Sequence, residues 1–229
     1  MSAYLQPLIN SMNKAADAEN AGQMAAYMRD QFAFLGIKSP QRRELLRAFL
    51  KEYGLPSVED TPHVTRELWD LHERENQYNA LDILRRQQKK LAPNFVPTLE
   101  WLISTKSWWD TVDGLASNTA GPIFTNYPDV REAAVQQWRA LENIWLRRTT
   151  LLFQLKYKDK TEAPLLFSLI EENLEDKEFF IQKAIGWALR EYSKTDETAV
   201  REFVANTELS PLAEREALKW LKRQQSAAS

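Results

Sequence analysis

Apolar residues recur three and four positions apart in stretches of about 10 to 18 residues, which places them on one face of an α-helix. No stretch alternates apolar and polar residues with the period of two that a β-strand requires. Prolines punctuate these stretches, and three of them follow a Ser or Thr: Ser39-Pro40, Thr61-Pro62 and Ser210-Pro211. Such pairs are typical of a helix start, where proline's missing N–H costs no hydrogen bond. The pattern predicts an all-α protein of about a dozen helices.

Several helical stretches also resemble one another. IWLRRTTLLFQLKY, residues 144–157, aligns with FFIQKAIGWALREY, residues 179–192, at an offset of 35 residues, and PLAEREALKWLKR, residues 211–223, continues the series. A period of this length is typical of stacked helical pairs, although amphipathic helices can also align by chance. Together with the length of 229 residues, it predicts one domain over residues 1–229, a curved solenoid with one concave face.

The composition excludes several kinds of chemistry. The chain has no Cys, which rules out thiolate catalysis, disulfides and cysteine metal sites, and it has two His, His63 and His72. No apolar run reaches the roughly 20 residues of a membrane span, and the first residues do not resemble a secretory signal. We therefore expect a cytoplasmic protein without a metal or another cofactor, and a monomer because no heptad seam is visible.

Charge is segregated along the chain although the formal net charge is −2. Residues 55–82 contain seven acids and two Arg, whereas residues 131–160 contain seven bases and three acids. A basic patch formed by the second segment would suit a polyanion, although charges on helices are most often only solvated.

Two tryptophans and one carboxylate lie off the apolar faces of their helices. Trp109 and Asp113 are four positions apart in SWWDTVDGLASN, so an indole and a carboxylate share one helix face. Trp187 lies about 110° from the centre of the apolar face of its own helix, beside Lys183 and Arg190. The alternative for Trp109 and Asp113 is an interfacial Trp next to a solvated Asp.

Two further residues are unusual in their helices. Arg148 falls among apolar positions, so its guanidinium must reach either solvent or an anion such as Asp113 or a ligand phosphate. A purely structural ion pair is the competing interpretation. Gly186 precedes Trp187 and removes side-chain bulk, either for the backbone of a ligand or for tight helix packing.

The segment FAFLGIKSPQRREL, residues 32–45, is a candidate phosphate-binding region. Here we expect Gly36 to end a helix and Ser39 to begin the next one, with Arg42 and Arg43 in its first turns. Free N–H groups and cations would then converge where a phosphate can dock. An ordinary connection between helices is the alternative.

Four segments of the chain resemble the AlkD family of bacterial DNA alkylation repair glycosylases: YMRDQFAFLGIKSPQRREL, TKSWWDTVD, NIWLRRTTLLFQLKYK and KEFFIQKAIGWALREYSKT. The resemblance extends over nearly the whole chain. It implies a stack of HEAT-like repeats with duplex DNA in its concavity, and a monofunctional glycosylase that hydrolyses the N-glycosidic bond of cationic alkylated purines. The substrates implied are chiefly N3-alkyladenine and N7-alkylguanine, excised without a base-flipping pocket.

The resemblance also implies roles for individual residues. Asp113 would be the catalytic carboxylate, Trp109 and Trp187 would pack on the deoxyribose, and Arg148 would hold the DNA backbone beside the lesion. We predict further DNA contacts at one tyrosine and seven cationic residues: Tyr27, Lys38, Arg42, Arg43, Lys156, Lys158, Lys183 and Arg190. The alternatives are a helical-repeat scaffold that binds DNA or protein without catalysis, and a lyase-type glycosylase with a lysine nucleophile.

Overall fold

The computed structural model describes residues 2–228 as a succession of helices. In chain order these are α1 (Gln6–Lys14), α2 (Ala18–Tyr27), α3 (Ser39–Tyr53), α4 (Thr61–Asp70), α5 (Arg74–Gln87), α6 (Val96–Ser104), α7 (Trp109–Leu115), α8 (Gly121–Asn126), α9 (Pro128–Arg139), α10 (Ile144–Leu152), α11 (Ala163–Glu171), α12 (Phe179–Tyr192), α13 (Glu197–Asn206) and α14 (Pro211–Ala228). Short 3-10 turns occupy Pro93–Phe95 and Lys158–Lys160, and a π-helical turn, Ala116–Ala120, joins α7 to α8. The prediction of an all-α protein is confirmed.

The serine–proline and threonine–proline pairs mark helix starts to within one residue. Ser39 and Thr61 are the first residues of α3 and α4 and do not cap these helices. Ser210 does act as a cap, because its hydroxyl oxygen accepts a hydrogen bond of 3.2 Å from the backbone N–H of Ala213. In each case the proline stands in the first turn, where its missing N–H is not needed.

The chain divides into two compact units, residues 1–102 and 103–229. The core of unit 1 contains the fully buried Leu68 and Trp69 of α4, and Ile83 and Leu84 of α5. The single domain over residues 1–229, which we expect from the sequence, stays a prediction. None of the helices in the described part of the chain combines the length and the apolarity of a membrane span.

In unit 1, a buried carboxylate organises the loop that leads into α3. Both oxygens of Glu75 accept hydrogen bonds of 2.8 to 3.0 Å from the consecutive backbone N–H groups of Leu35, Gly36 and Ile37. Gly36 has a φ of +86°, and a Cβ at this position would lie 1.9 Å from the carbonyl oxygen of Asp17. The expectation that Gly36 ends a helix is wrong, because α2 already ends at Tyr27 and Gly36 instead allows a close backbone approach.

In unit 2, α12 packs closely along α14. A Cβ at Gly186 would lie 2.6 Å from the Cβ of Glu216 and 2.7 Å from the carbonyl oxygen of Ala213. Gly186 therefore serves tight helix packing, the second of the two roles that the sequence left open.

Candidate active site

Asp113 on α7 and Arg148 on α10 form a two-pronged ion pair. The Nε of Arg148 donates to Oδ1 of Asp113 at 2.7 Å, and its Nη2 donates to Oδ2 at 2.9 Å. The side chains of Arg148 and Asp113 are 5% and 15% exposed. Parallel N–H···O bonds of this kind fix the orientation of a carboxylate as well as its charge. Of the two destinations predicted for Arg148, the guanidinium reaches the buried anion.

The same guanidinium also binds a third helix. Nη1 of Arg148 donates to the carbonyl oxygen of Phe180, in the first turn of α12. Arg148 thus links α7, α10 and α12, so a displacement of any of these helices would move the carboxylate of Asp113.

The environment of Asp113 shifts its acidity. Burial raises the pKa of Asp113 above its ordinary value of 3.8, and the hydrogen bonds and the positive charge of Arg148 oppose that rise. The negative charge of Asp110, one turn earlier on α7, adds to the rise. A carboxylate removed from water interacts more strongly with any positive charge that develops beside it.

Three aromatic rings pack against one another where α7, α10 and α12 meet near this ion pair. The centroid of Phe180 lies 4.9 Å from that of Trp108 and 5.0 Å from that of Trp145, and Trp108 and Trp145 are 5.9 Å apart. No role for this cluster was predicted from the sequence. The sequence does contain adjacent aromatic pairs in TKSWWD and KEFF, which could have indicated an aromatic cluster. Helical periodicity alone could not show which of these rings contact one another across three helices.

The two tryptophans with a predicted role occupy helices adjoining the ion pair. Trp109 is the first residue of α7, one turn before Asp113, and is half-buried. Trp187 is a half-buried residue of α12, seven positions after Phe180 and thus on the same side of that helix. Because α7 and α12 both pack against α10, the helices that carry Trp109, Asp113, Arg148 and Trp187 are neighbours.

The cations predicted to contact DNA in unit 2 fall into two groups. Lys156 and Lys158 are exposed beyond the end of α10, where Nζ of Lys156 donates to the side-chain oxygen of Asn118. Lys183 and Arg190 instead share Glu216 of α14, with N–O distances of 2.9 and 2.7 Å. These two cations already have an internal counter-charge.

The basic segment 131–160 is largely neutralised by acids elsewhere in unit 2. Each of its arginines forms an ion pair: Arg131 with Glu162, Arg139 with Glu172, Arg147 with Asp176 and Arg148 with Asp113. The expectation of a basic patch formed by the whole segment is therefore corrected. Three exposed lysines remain, Lys156, Lys158 and Lys160.

In unit 1 the residues predicted to contact DNA differ in their exposure to solvent. Tyr27 is 74% exposed at the end of α2, and Lys38 and Arg43 are exposed at the start of α3. Arg42 is buried, and it donates to Oδ1 of Asn79 and to Oδ2 of Asp82, each at 2.6 Å. The guanidinium of Arg42 is therefore engaged inside unit 1, and its contact with DNA stays a prediction.

Within the part of the chain that the structure describes, no group of three or more His, Asp or Glu side chains is arranged to hold a metal ion.

The chain belongs to the DNA alkylation repair enzyme family, whose family model matches residues 8–221. Its fold matches the solved structure of a predicted DNA alkylation repair enzyme from Enterococcus faecalis with a TM-score of 0.83. The two sequences are 36% identical, and the match covers 90% of this chain and 96% of that chain. The comparison with curated proteins finds no match.

Proposed function

We propose that this protein is a monofunctional DNA glycosylase that hydrolyses the N-glycosidic bond of cationic alkylated purines in duplex DNA. Membership of the family supports a DNA repair enzyme. The observation that carries the finer proposal is the largely buried carboxylate of Asp113, held by both prongs of Arg148 one turn after the half-buried Trp109.

The chemistry of this lesion suits such a site. A purine alkylated at N3 or N7 carries a positive charge and leaves as a neutral base, so the reaction needs no general acid. Loss of the base builds oxocarbenium character at C1′ of the deoxyribose, as in glycoside hydrolysis. A fixed carboxylate stabilises that charge in the transition state, and it also orients the attacking water. We assign both roles to Asp113.

The assignment of Arg148 follows from its hydrogen bonds. Three donor atoms of the guanidinium are directed at Asp113 and at the carbonyl of Phe180. We therefore assign Arg148 first to holding the carboxylate in place and ionised, and second to the DNA backbone.

Trp109 and Trp187 would supply the faces against which the sugar packs. An indole face attracts positive charge, and the attraction grows as the ring becomes cationic, by about 1 to 2 kcal/mol for each desolvated contact. Binding that strengthens in the transition state raises the rate constant for excision rather than the affinity for DNA.

The phosphate contacts that fit the structure best are the exposed side chains. We place Lys156 and Lys158 in this role in unit 2, and Tyr27, Lys38 and Arg43 in unit 1. Lys183 and Arg190 can contribute only if they turn from Glu216 towards the DNA, so we expect them to contribute less.

A glycosylase that recognises no base in a pocket selects its substrate by the lability of the glycosidic bond. We therefore expect little activity on neutral lesions and tolerance of bulky adducts. The test is release of free base from duplex DNA that contains N7-methylguanine, beside duplexes that contain uracil or hypoxanthine. Efficient excision of either neutral base would contradict the proposed selectivity.

Two results would assign the protein to another class. A folded protein that binds the duplex without releasing base would be a non-catalytic DNA-binding scaffold. Borohydride trapping of a covalent protein–DNA adduct would identify a lyase with a lysine nucleophile, because hydrolysis by water forms no Schiff base.

A further inference from the structure

A groove between α3 and α5 of unit 1 is lined by four arginines. Arg43 and Arg47 come from α3, and Arg85 and Arg86 come from α5. All four residues are exposed, and none of their guanidinium groups forms an ion pair or a hydrogen bond within residues 2–228. We call this feature the arginine groove.

The acid in the arginine groove does not offset these charges. Among the described residues that line the groove the acidic one is Asp82, and Arg42 already pairs with it from the buried side. Arg42 is therefore the internal counter-ion of Asp82, and the four lining arginines outnumber the one lining acid.

This arrangement does not serve folding. Arg43 and Arg47 are four residues apart on one helix face, and like charges at that spacing destabilise a helix. Arg85 and Arg86 are adjacent near the end of α5, and the exposed Lys89 follows them. A set of unpaired cations that repel one another is stabilised by an external polyanion.

The chemistry of the groove indicates which polyanion fits. The guanidinium group is a planar fork whose donors match the oxygens of a phosphate. The remaining lining residues are Leu46 and Gln88, so the groove offers no aromatic ring of the kind on which single-strand binders stack bases. The lining is suited to a sugar–phosphate backbone whose bases stay paired.

We propose that the arginine groove binds the phosphate backbone of duplex DNA, damaged or undamaged, and supplies affinity without taking part in the chemistry. The choice of DNA as the polyanion rests on the proposed function. Asp113 does not line the arginine groove, so the contribution of the groove to DNA affinity can be tested separately from the glycosylase activity.

The test replaces all four arginines by glutamine, as R43Q/R47Q/R85Q/R86Q, and measures binding to an undamaged duplex by fluorescence anisotropy at several salt concentrations. Because each lost phosphate contact lowers the slope of log affinity against log salt by about 0.9, we expect the slope to fall by about 2 to 4. The dissociation constant at low salt should rise at least about tenfold. For R47Q/R85Q/R86Q, which keeps Arg43, the single-turnover rate of base release at saturating protein should stay within about twofold of the parent.

Two matched variants separate this groove from general charge. K14Q/R215Q/K222Q/R223Q removes four exposed cations from α1 and α14 and should leave the slope near that of the parent. R43K/R47K/R85K/R86K keeps the charges and should keep most of the slope. If the fourfold glutamine variant melts early, R43Q/R47Q and R85Q/R86Q should each give about half of the change in slope.

Several results would overturn the proposal. One is a slope for the glutamine variant equal to that of the α1 and α14 control. Another is tighter binding of the parent to an RNA duplex of the same sequence than to DNA. A parent that releases no base but loses DNA affinity when the groove is neutralised would refute the glycosylase and support the groove.

Discussion

Asp113 and Arg148 lie 35 residues apart in the sequence and face each other through two hydrogen bonds of 2.7 and 2.9 Å. The separation equals the offset between the similar stretches 144–157 and 179–192. Other ion pairs between helices of unit 2 have similar separations, such as Arg139 with Glu172 and Lys183 with Glu216, both 33 residues apart. In the Asp113–Arg148 pair both side chains are largely buried, whereas the cations of the other two pairs are more exposed.

Removal of the negative charge of Asp113 should slow excision strongly and preserve DNA binding. We expect Asp113→Asn to lower the single-turnover rate of N7-methylguanine release by about 100- to 1000-fold, the usual cost of removing one preorganised electrostatic contact. Asp110→Asn, one turn away on α7, is the matched control and should retain most of the rate. Equal losses of rate and of DNA affinity in Asp113→Asn would reassign Asp113 to a structural role.

Arg148→Lys should shift the pH dependence of excision. The proposed reaction needs Asp113 ionised, burial raises the pKa of this residue, and Arg148 opposes the rise. A lysine cannot keep both hydrogen bonds, so the pKa of Asp113 should rise further and the acidic limb of the rate profile should move to higher pH.

The control for this variant is Arg147→Lys, which weakens the neighbouring pair with Asp176 and should leave the acidic limb in place. A uniform loss of rate in Arg148→Lys at every pH would instead indicate that Arg148 mainly contacts the DNA backbone.

Trp109→Ala and Trp187→Ala should each slow excision more than they weaken binding. The loss of a cation–π contact of about 1 to 2 kcal/mol corresponds to about a 5- to 30-fold lower rate constant at saturating protein. Trp220→Phe, a conservative change at the half-buried tryptophan of α14, is the control. A change in dissociation constant equal to the change in rate would mean that the indoles bind substrate and transition state alike.

Gly186→Ala should destabilise the protein although alanine is the better helix former. The new Cβ would lie 2.6 Å from the Cβ of Glu216, and overpacking of this kind costs about 1 to 3 kcal/mol in the free energy of unfolding. Gly22→Ala on α2 has no atom within 4 Å of the added Cβ and should stabilise the protein by up to about 1 kcal/mol. Urea unfolding of both variants measures the contrast, and an unchanged midpoint for Gly186→Ala would show that α12 and α14 can separate freely.

Glu216→Gln should destabilise the protein in a pH-dependent way. The hydrogen bond from Lys183 lowers the pKa of Glu216 below its ordinary value of 4.5, partial burial opposes the shift, and the charges of Lys183, Lys219 and Arg190 reinforce it. A lowered pKa in the folded state stabilises the protein above pH 4.5, and that contribution disappears as the pH falls through the folded pKa.

We therefore expect a loss of about 1 to 2 kcal/mol at pH 7, because both cationic partners are partly exposed, and a smaller loss at pH 3.5. Glu214→Gln, exposed on the same helix, should change the free energy of unfolding little at either pH. A loss for Glu216→Gln that is the same at both pH values would assign the effect to packing.

Helical periodicity, proline positions and the 35-residue offset are local properties, so the sequence by itself determined the helix content and most helix starts. It also limited the guanidinium of Arg148 to two destinations, solvent or an anion, because a charged group among apolar positions cannot be buried without a partner. The order and spacing of Trp109, Asp113, Arg148 and Trp187 were sufficient to predict the family. The local charge sums identified an acidic segment, 55–82, and a basic segment, 131–160. Neither segment contains Arg85 or Arg86 of the arginine groove, so the sums did not predict it.

The tertiary structure decided which charges are free, because ion pairs form between helices about 30 residues apart that periodicity cannot match. Arg42 is buried against Asp82, and Lys183 and Arg190 are held by Glu216, whereas Arg43 and Arg47 remain exposed. The structural role of Gly36 could not be predicted either, since a Cβ there would collide with the carbonyl oxygen of Asp17, 19 residues earlier in the chain. A sequence records the sign of each charge, but the distance to the nearest opposite charge is set by helix packing, and that distance separates a structural ion pair from a cation that is available to a ligand.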